Sequence, residues 1–206
     1  MNNSQEKLRD SFLQELQNLS ISCGWSDGLP ELACSKMQLH PKYYYIWFSR
    51  GSQEILSFLE EKYDQEMLNK LESMTEIRGI TNKICAALTA RICETSCSKA
   101  LAEANFKYYR KPSNIAFASK ITWRSVDKIW RYAGDNSTDF NYYSKRGLLH
   151  SVYLASQRRY HFDNSENHAS TREFISLSLN QIVQTAKTTK KIYNFLHKLP
   201  VIRMFV

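Results

Sequence analysis

The 206-residue chain is 43% hydrophobic and 23% charged, with only 6 Gly and 4 Pro, which suits a helical unit with a sizeable core and argues against many short strands. Its net charge of +8 looks for phosphate, on lipid or nucleic acid, while five cysteines without C-x-x-C spacing speak against a disulfide framework. No run is long enough to span a bilayer, and the polar start MNNSQEKLRD carries no secretion or import pattern, so a cytoplasmic protein is expected.

Leu8, Phe12, Leu13, Leu16 and Leu19 recur at spacings of three and four and predict an amphipathic helix over 4–19. A turn follows at Gly24 to Gly28, with Asp27 expected to cap the next helix and Pro30 in its first turn. Pro41 opens a short aromatic helix, KYYYIWF, which Gly51 breaks before a longer helix from Ser52. Ile77, Ile80, Ile84, Leu88 and Ile92 form one stripe, and Cys93 and Cys97 continue that helix one turn apart. Ile115, Ala118, Ile121, Val126, Ile129 and Ala133 mark another helix, closed by Gly134 as a left-handed cap. Asn136 or Ser137 is expected to cap the next helix, with Asp139 in its first turn and an end near Arg159. HFDNSENHAS then reads as a polar loop whose His161, Asp163 and His168 lie on the surface. Ser170-x-x-Glu173 reads as a capping box, and a terminal helix is expected from Thr185 to before Pro200. No strand pattern or internal repeat occurs.

The densest stretch is IWRYAGDNSTDFNYYSKRG, residues 129–147. On a helix Tyr142 and Arg146 are i,i+4 neighbours placed for a cation–π pair. Asp135 and Asp139 have no histidine at metal-ligand spacing, and neither G-x-S-x-G nor H-E-x-x-H is present. A catalytic base with its partner is therefore not found, and the chain is read as a non-enzyme without cofactor or metal. Tyr and Arg are the residue types that anchor interfaces, so a contact surface fits better. Its plain alternative is a capped helix start with a solvated face.

The longer run DKIWRYAGDNSTDFNYYSKRGLLHSVY, residues 127–153, resembles the signature of the COQ9 family of ubiquinone-biosynthesis accessory proteins. Asp127, Ile129, Trp130, Ala133, Gly134, Asp135, Ser137, Thr138, Asp139, Phe140, Asn141, Tyr143, Lys145, Arg146, Leu149, Val152 and Tyr153 all fit in one register. Tyr142 stands where the family has Trp and Ser144 where it has Thr. The resemblance extends over about residues 20–185 through GWSD at 24–27 and weaker echoes at Asp163, Ser165, Thr171 and Phe174. It implies an all-α, TetR-like fold, a homodimer, and an apolar cavity for an isoprenoid or other lipid, for which Trp130, Phe140, Leu148 and Val152 are the expected lining. It also implies a docking patch for the di-iron demethoxyubiquinone hydroxylase, which falls on Asp139, Tyr142, Tyr143, Lys145 and Arg146.

Three parts are expected: a degenerate helix-turn-helix-like part over 1–66, a lipid-binding and docking part over 67–184, and an amphipathic membrane-surface helix with its tail over 185–206. No acid follows Glu173, and five of the basic residues lie in the last 33 positions. Lys187, Lys190, Lys191 and Lys198 with Ile192, Phe195, Leu196 and Leu199 are thus expected to meet the inner face of a membrane, the alternative being that the apolar face packs on the protein's own core. The expected function is non-catalytic presentation of a polyprenyl quinone intermediate to the hydroxylase. The competing reading is a TetR-like DNA-binding regulator. Against it, the aromatic run at 43–47 has one lysine nearby and no Arg, Asn or Gln to read base edges, so no specific nucleic-acid binding is expected.

Overall fold

The computed structural model describes residues 3–74, 76–138 and 140–196, with side chains of residues 140 and 185–196 left aside. Among the described residues eight α-helices follow one another: α1 (Asn3–Cys23), α2 (Leu29–Lys36), α3 (Ser52–Glu72), α4 (Ile80–Cys93), α5 (Lys99–Tyr109), α6 (Ile115–Tyr132), α7 (Phe140–Phe162) and α8 (Ala169–Leu196). No strand occurs among the described residues.

The N-terminal helices pack as their apolar stripes require. Phe12, Leu13, Leu16 and Leu19 of α1 are buried against Leu29 and Ala33 of α2 and Ile55, Leu56, Leu59 and Tyr63 of α3. Gly24 turns the chain at φ +77°. Gly28, not Asp27, occupies the N-cap of α2, and no side chain caps it, since Pro30 already removes one orphan donor there. The aromatic helix expected after Pro41 shortens to a 3-10 turn, Tyr43–Ile46. Its rings spend themselves on packing: Tyr44 and Trp47 both lie against Phe12, at 6.4 and 5.5 Å between centroids.

The sequence pattern did not disclose α5. Cys97 lies in the connection before it and not on α4, which stops at Cys93, so the two thiols are not one helical turn apart. Ser98 caps α5 by accepting from the Leu101 amide at 3.2 Å. The helix docks back on the first cluster through Leu101, Ala104 and Tyr108, and buried Trp25 donates to Asn105 at 2.7 Å.

A second apolar cluster joins the end of α3 to α4, α6, α7 and α8 through Met67, Leu88, Val126, Ile129, Leu149, Tyr153 and Ile175. Along α3 the two clusters change over between Tyr63 and Met67. At that seam the buried Arg91 guanidinium binds Asp64 at 2.7 Å and also Glu60. Ser125 donates to Asp64 at 2.7 Å and Tyr109 to Glu60 at 2.8 Å. One buried cation thereby ties α3, α4, α5 and α6 together.

The connection from α7 to α8 also departs from expectation. Asp163 is buried, not on the surface. Its carboxylate accepts from the amide and hydroxyl of both Ser165 and Thr171, so it and Ser165, which takes the Ser170 amide at 3.0 Å, cap α8. The Ser170–Glu173 box is not used. α8 then runs unbroken through Thr185 to Leu196, so no separate helix starts at 185. Lys198, Leu199 and the expected stop before Pro200 lie outside the described residues.

Candidate functional site

The signature residues converge where α6 hands over to α7. α6 ends in a Schellman arrangement: the Gly134 amide donates to Arg131 O and the Asp135 amide to Trp130 O, both at 3.0 Å. Gly134 holds φ +91°, a conformation that a Cβ disfavours. The turn aims Asp135 back at α7. There Lys145 Nζ reaches Asp135 Oδ1 at 2.6 Å and Ser137 Oγ at 2.8 Å, and Ser137 donates to the same carboxylate at 2.8 Å. Ser137 is therefore part of this cluster, and α7 starts three residues beyond it.

Arg146 is the hub. Its side chain is 1% exposed. Nε donates to Asp127 Oδ1 at 2.7 Å, and Nη1 to Asp135 Oδ2 at 3.0 Å and to Tyr142 O at 3.3 Å. The guanidinium lies 3.6 Å from the Tyr142 ring centroid, the stacking expected from their spacing. Tyr142 Oη donates to Asp127 at 3.2 Å, and Arg131 closes the other side of that carboxylate at 2.7 Å. Burial opposes charge on Asp135, but hydrogen bonds from Lys145, Ser137 and Arg146 outweigh it and draw its pKa down to about 2. Burial likewise opposes charge on Asp127, and Arg146 and Arg131 override it, lowering its pKa.

The placement corrects the expected docking set. Arg146 is enclosed and works as an internal strut between two carboxylates, out of a partner's reach. Tyr143, by contrast, is 64% exposed and stands edge-on to Tyr142 at 5.0 Å. Lys145 is half-exposed at the rim. Asp139 lies outside the described residues.

Beside this cluster runs an apolar groove of about 350 Å³ between α4, α6, α7 and α8. Ile80, Ile84, Trp130, Leu148, Leu149, Leu179, Ile182 and Val183 line it, with Thr81 and Lys145 the polar exceptions. Trp130 donates to Lys145 O at 3.2 Å, and its ring faces Lys145 Nζ at 5.7 Å, so Lys145 belongs to both the groove wall and the ionic cluster. Of the expected lining, Trp130 and Leu148 stand in the groove. Val152 does not: it lies one turn beyond Leu148 on the same side of α7, past the groove, where it is buried in the second apolar cluster. The Phe140 side chain is outside the described set. Sequence reasoning missed the contributions of α4 and α8. Ile80 at 58% and Leu148 at 49% exposure are the surface trace of this groove. Among the described residues no three His, Cys, Asp or Glu side chains gather as a metal site, and no helix is long and apolar enough to cross a membrane.

The COQ9 family model matches residues 115–186, from the start of α6 into α8. This segment is COQ9-like. It holds the whole ionic cluster and much of the groove wall. The chain is also 24% identical over 188 residues to the probable ubiquinone biosynthesis protein coq9, mitochondrial, of Dictyostelium discoideum, covering 88% of this chain and 61% of that protein. The mitochondrial COQ9-A of Xenopus laevis is 25% identical, covering 92% of this chain and 62% of its own length. Human mitochondrial COQ9 is 32% identical over 81 residues, 39% of this chain and 26% of that protein. The chain thus spans less than two thirds of each of these relatives. In structure it is similar to a TetR transcriptional regulator from Nitrosomonas europaea ATCC 19718, with TM-score 0.66 and 15% identity over 85% of this chain and 97% of the other. The fold is all-α and TetR-like.

Proposed function

We propose that the protein is a non-catalytic lipid-binding accessory protein of ubiquinone biosynthesis, which presents a polyprenyl quinone intermediate to the di-iron demethoxyubiquinone hydroxylase. The observation that carries this reading is the apolar groove set against the COQ9-like ionic cluster. Its volume of about 350 Å³ lies in the range of small-molecule sites, about 300–1,000 Å³. A polyprenyl chain needs such shelter, because each exposed CH₂ costs about 0.8 kcal/mol in water. Docking falls to Tyr143, the exposed edge of Tyr142 and Lys145, held in place by Arg146 from beneath. The protein acts as a homodimer, peripherally on the inner face of a membrane, with Lys187, Lys190, Lys191 and Lys198 near anionic lipid.

The test is native mass spectrometry and organic extraction of protein purified without detergent. A near-stoichiometric hydrophobic ligand is expected, and Leu148→Asp should lose it while remaining folded. A wild-type protein that carries no lipid, and takes none up from vesicles, would overturn the reading. The TetR-like fold favours a second reading, DNA-binding regulation. It is weakened by the 3-10 turn Tyr43–Ile46, which replaces a recognition helix with packed rings. A selected duplex bound at nanomolar strength would restore it.

A further inference from the structure

Far from the groove, the last turns of α5 and α7 build a surface that the proposed function leaves unused. From Leu148 at the groove to His161 is thirteen helical residues, roughly 20 Å. Here an open cleft of about 340 Å³ is lined by Phe106, Lys107, Arg110, Lys111 and His161, with no acid in its lining. The rings form a ladder. The Arg110 guanidinium lies 5.4 Å from the Phe106 ring, Phe106 stacks on His161 at 5.2 Å, and His161 stands against Phe162 at 4.7 Å. The ladder ends in solvent: Phe162 is 65% exposed, the largest exposure among the large apolar side chains so described.

We propose that this edge, Phe106, Lys107, Arg110, Lys111, His161 and Phe162, rests on the phosphate headgroups of an anionic bilayer, with Phe162 entering the interface. Lysine and arginine at the end of α5 also complement the helix dipole, but that does not account for the two rings that α7 brings to the same place. Arg110 has no acidic partner among the described residues, and its guanidinium is ordered by a ring alone. Lys107 keeps one exposed partner, Glu103 at 2.8 Å, a pairing that water screens. Lys111 is positioned by its bond to Trp25 O at 3.3 Å and by the Tyr108 ring. Cations beside a projecting aromatic ring are the chemistry of a membrane surface. A free phosphate would use the cations but would give Phe162 no reason to face water. The proposal stands apart from the lipid groove. It also stands apart from the terminal lysines, because α7 and α8 pair as a hairpin with Phe162 at its closed end and residues 185–196 at its open end.

Full-length protein is floated with phosphatidylcholine vesicles with and without phosphatidylserine. Each cation near an anionic surface contributes about 1 kcal/mol, or about fivefold. Arg110→Gln should therefore weaken partition about fivefold and the Lys107→Gln/Arg110→Gln pair about 25-fold. Phe162→Ala should weaken it about tenfold. The three positions changed, Lys107, Arg110 and Phe162, are exposed, so thermal unfolding should match wild type, and exposed Lys62→Gln on α3 serves as the charge control. Combined with Gln at Lys187, Lys190, Lys191 and Lys198, the losses should multiply, as independent sites do. The idea is overturned if the Lys107/Arg110 pair floats like wild type. It is equally overturned if inorganic phosphate saturates the amides of residues 106–111 while flotation ignores the variants, which would mark a small-anion site. Loss of single-stranded RNA binding with flotation intact would overturn it as well.

Discussion

Arg146 keeps a full charge where almost no water reaches it, because Asp127, Asp135 and the Tyr142 ring surround it. Removing one partner leaves a buried group short of part of its compensating charge, which is why such clusters are costly to break. The pH dependence follows from the sign of the Asp135 shift. Its folded pKa of about 2 lies below the ordinary 3.8, so its contribution is fully present above about 3.8 and is lost as pH falls through about 2. Urea midpoints measured across that acid window should fall more steeply for wild type than for Asp135→Asn. The exposed ring beside the cluster has a different task. Tyr143→Ala leaves every bond of Arg146 in place, so it should not alter stability. It should weaken hydroxylase capture by about 1–2 kcal/mol if Tyr143 is a central anchor. Unchanged capture would return Tyr143 to a solvated helix face.

At the scale of elements, two helix junctions position the site. Gly134 ends α6 and turns Asp135 toward α7, while Asp163 opens the α7–α8 connection and caps the start of α8. Burial opposes ionisation of Asp163, yet four donors from Ser165 and Thr171 hold its pKa below the carboxylate range. Asp163→Ala strips these donors of their acceptor and should cost about 2 kcal/mol or somewhat more, beyond an ordinary exposed cap. Hydrogen exchange should report the loss first in the amides of 165–171. Since α8 supplies Leu179, Ile182 and Val183 to the groove, the same variant should release bound lipid faster. A variant with unchanged exchange there would mean that Ser165 alone caps the helix.

Over the whole molecule, the seam of Arg91, Glu60, Asp64, Ser125 and Tyr109 joins the two apolar clusters. Arg91→Ala strips buried Glu60 of its cation and leaves Asp64 to the more distant Lys128 and Arg124, at 3.3 and 3.7 Å, and should destabilise by about 3 kcal/mol. Replacing Arg91, Glu60 and Asp64 together with apolar residues of similar volume should recover much of that loss. Denaturant titration of the single and triple variants checks the pair of outcomes. A triple variant no better than Arg91→Ala would show that the seam's hydrogen bonds to Tyr109 and Ser125 matter more than its charges.

The amino-acid order by itself determined the helices with strong stripes. Phe12, Leu16 and Leu19 could bury together only on a helix, and Gly134 marked the end of α6 because few other residues accept a positive φ. The signature from Asp127 to Tyr153 was legible too, as was the Tyr142–Arg146 stack, since i,i+4 neighbours meet wherever the helix goes. Only the tertiary structure decided what those residues face. Arg146 and Tyr143 are three positions apart on one helix, yet one is sealed by Asp127 and Asp135 and the other stands in water. Val152 and Leu148 divide in the same way between core and groove. The weakly striped α5 was missed because its anchor, Asn105 on Trp25, lies eighty residues back in the chain. Asp163 looked like a loop residue because its acceptors' partners, Ser165 and Thr171, reach it only once the chain folds back. Short-range spacing fixes a helix and its faces. Which face is buried depends on charges and rings supplied from distant positions, and no local pattern encodes those.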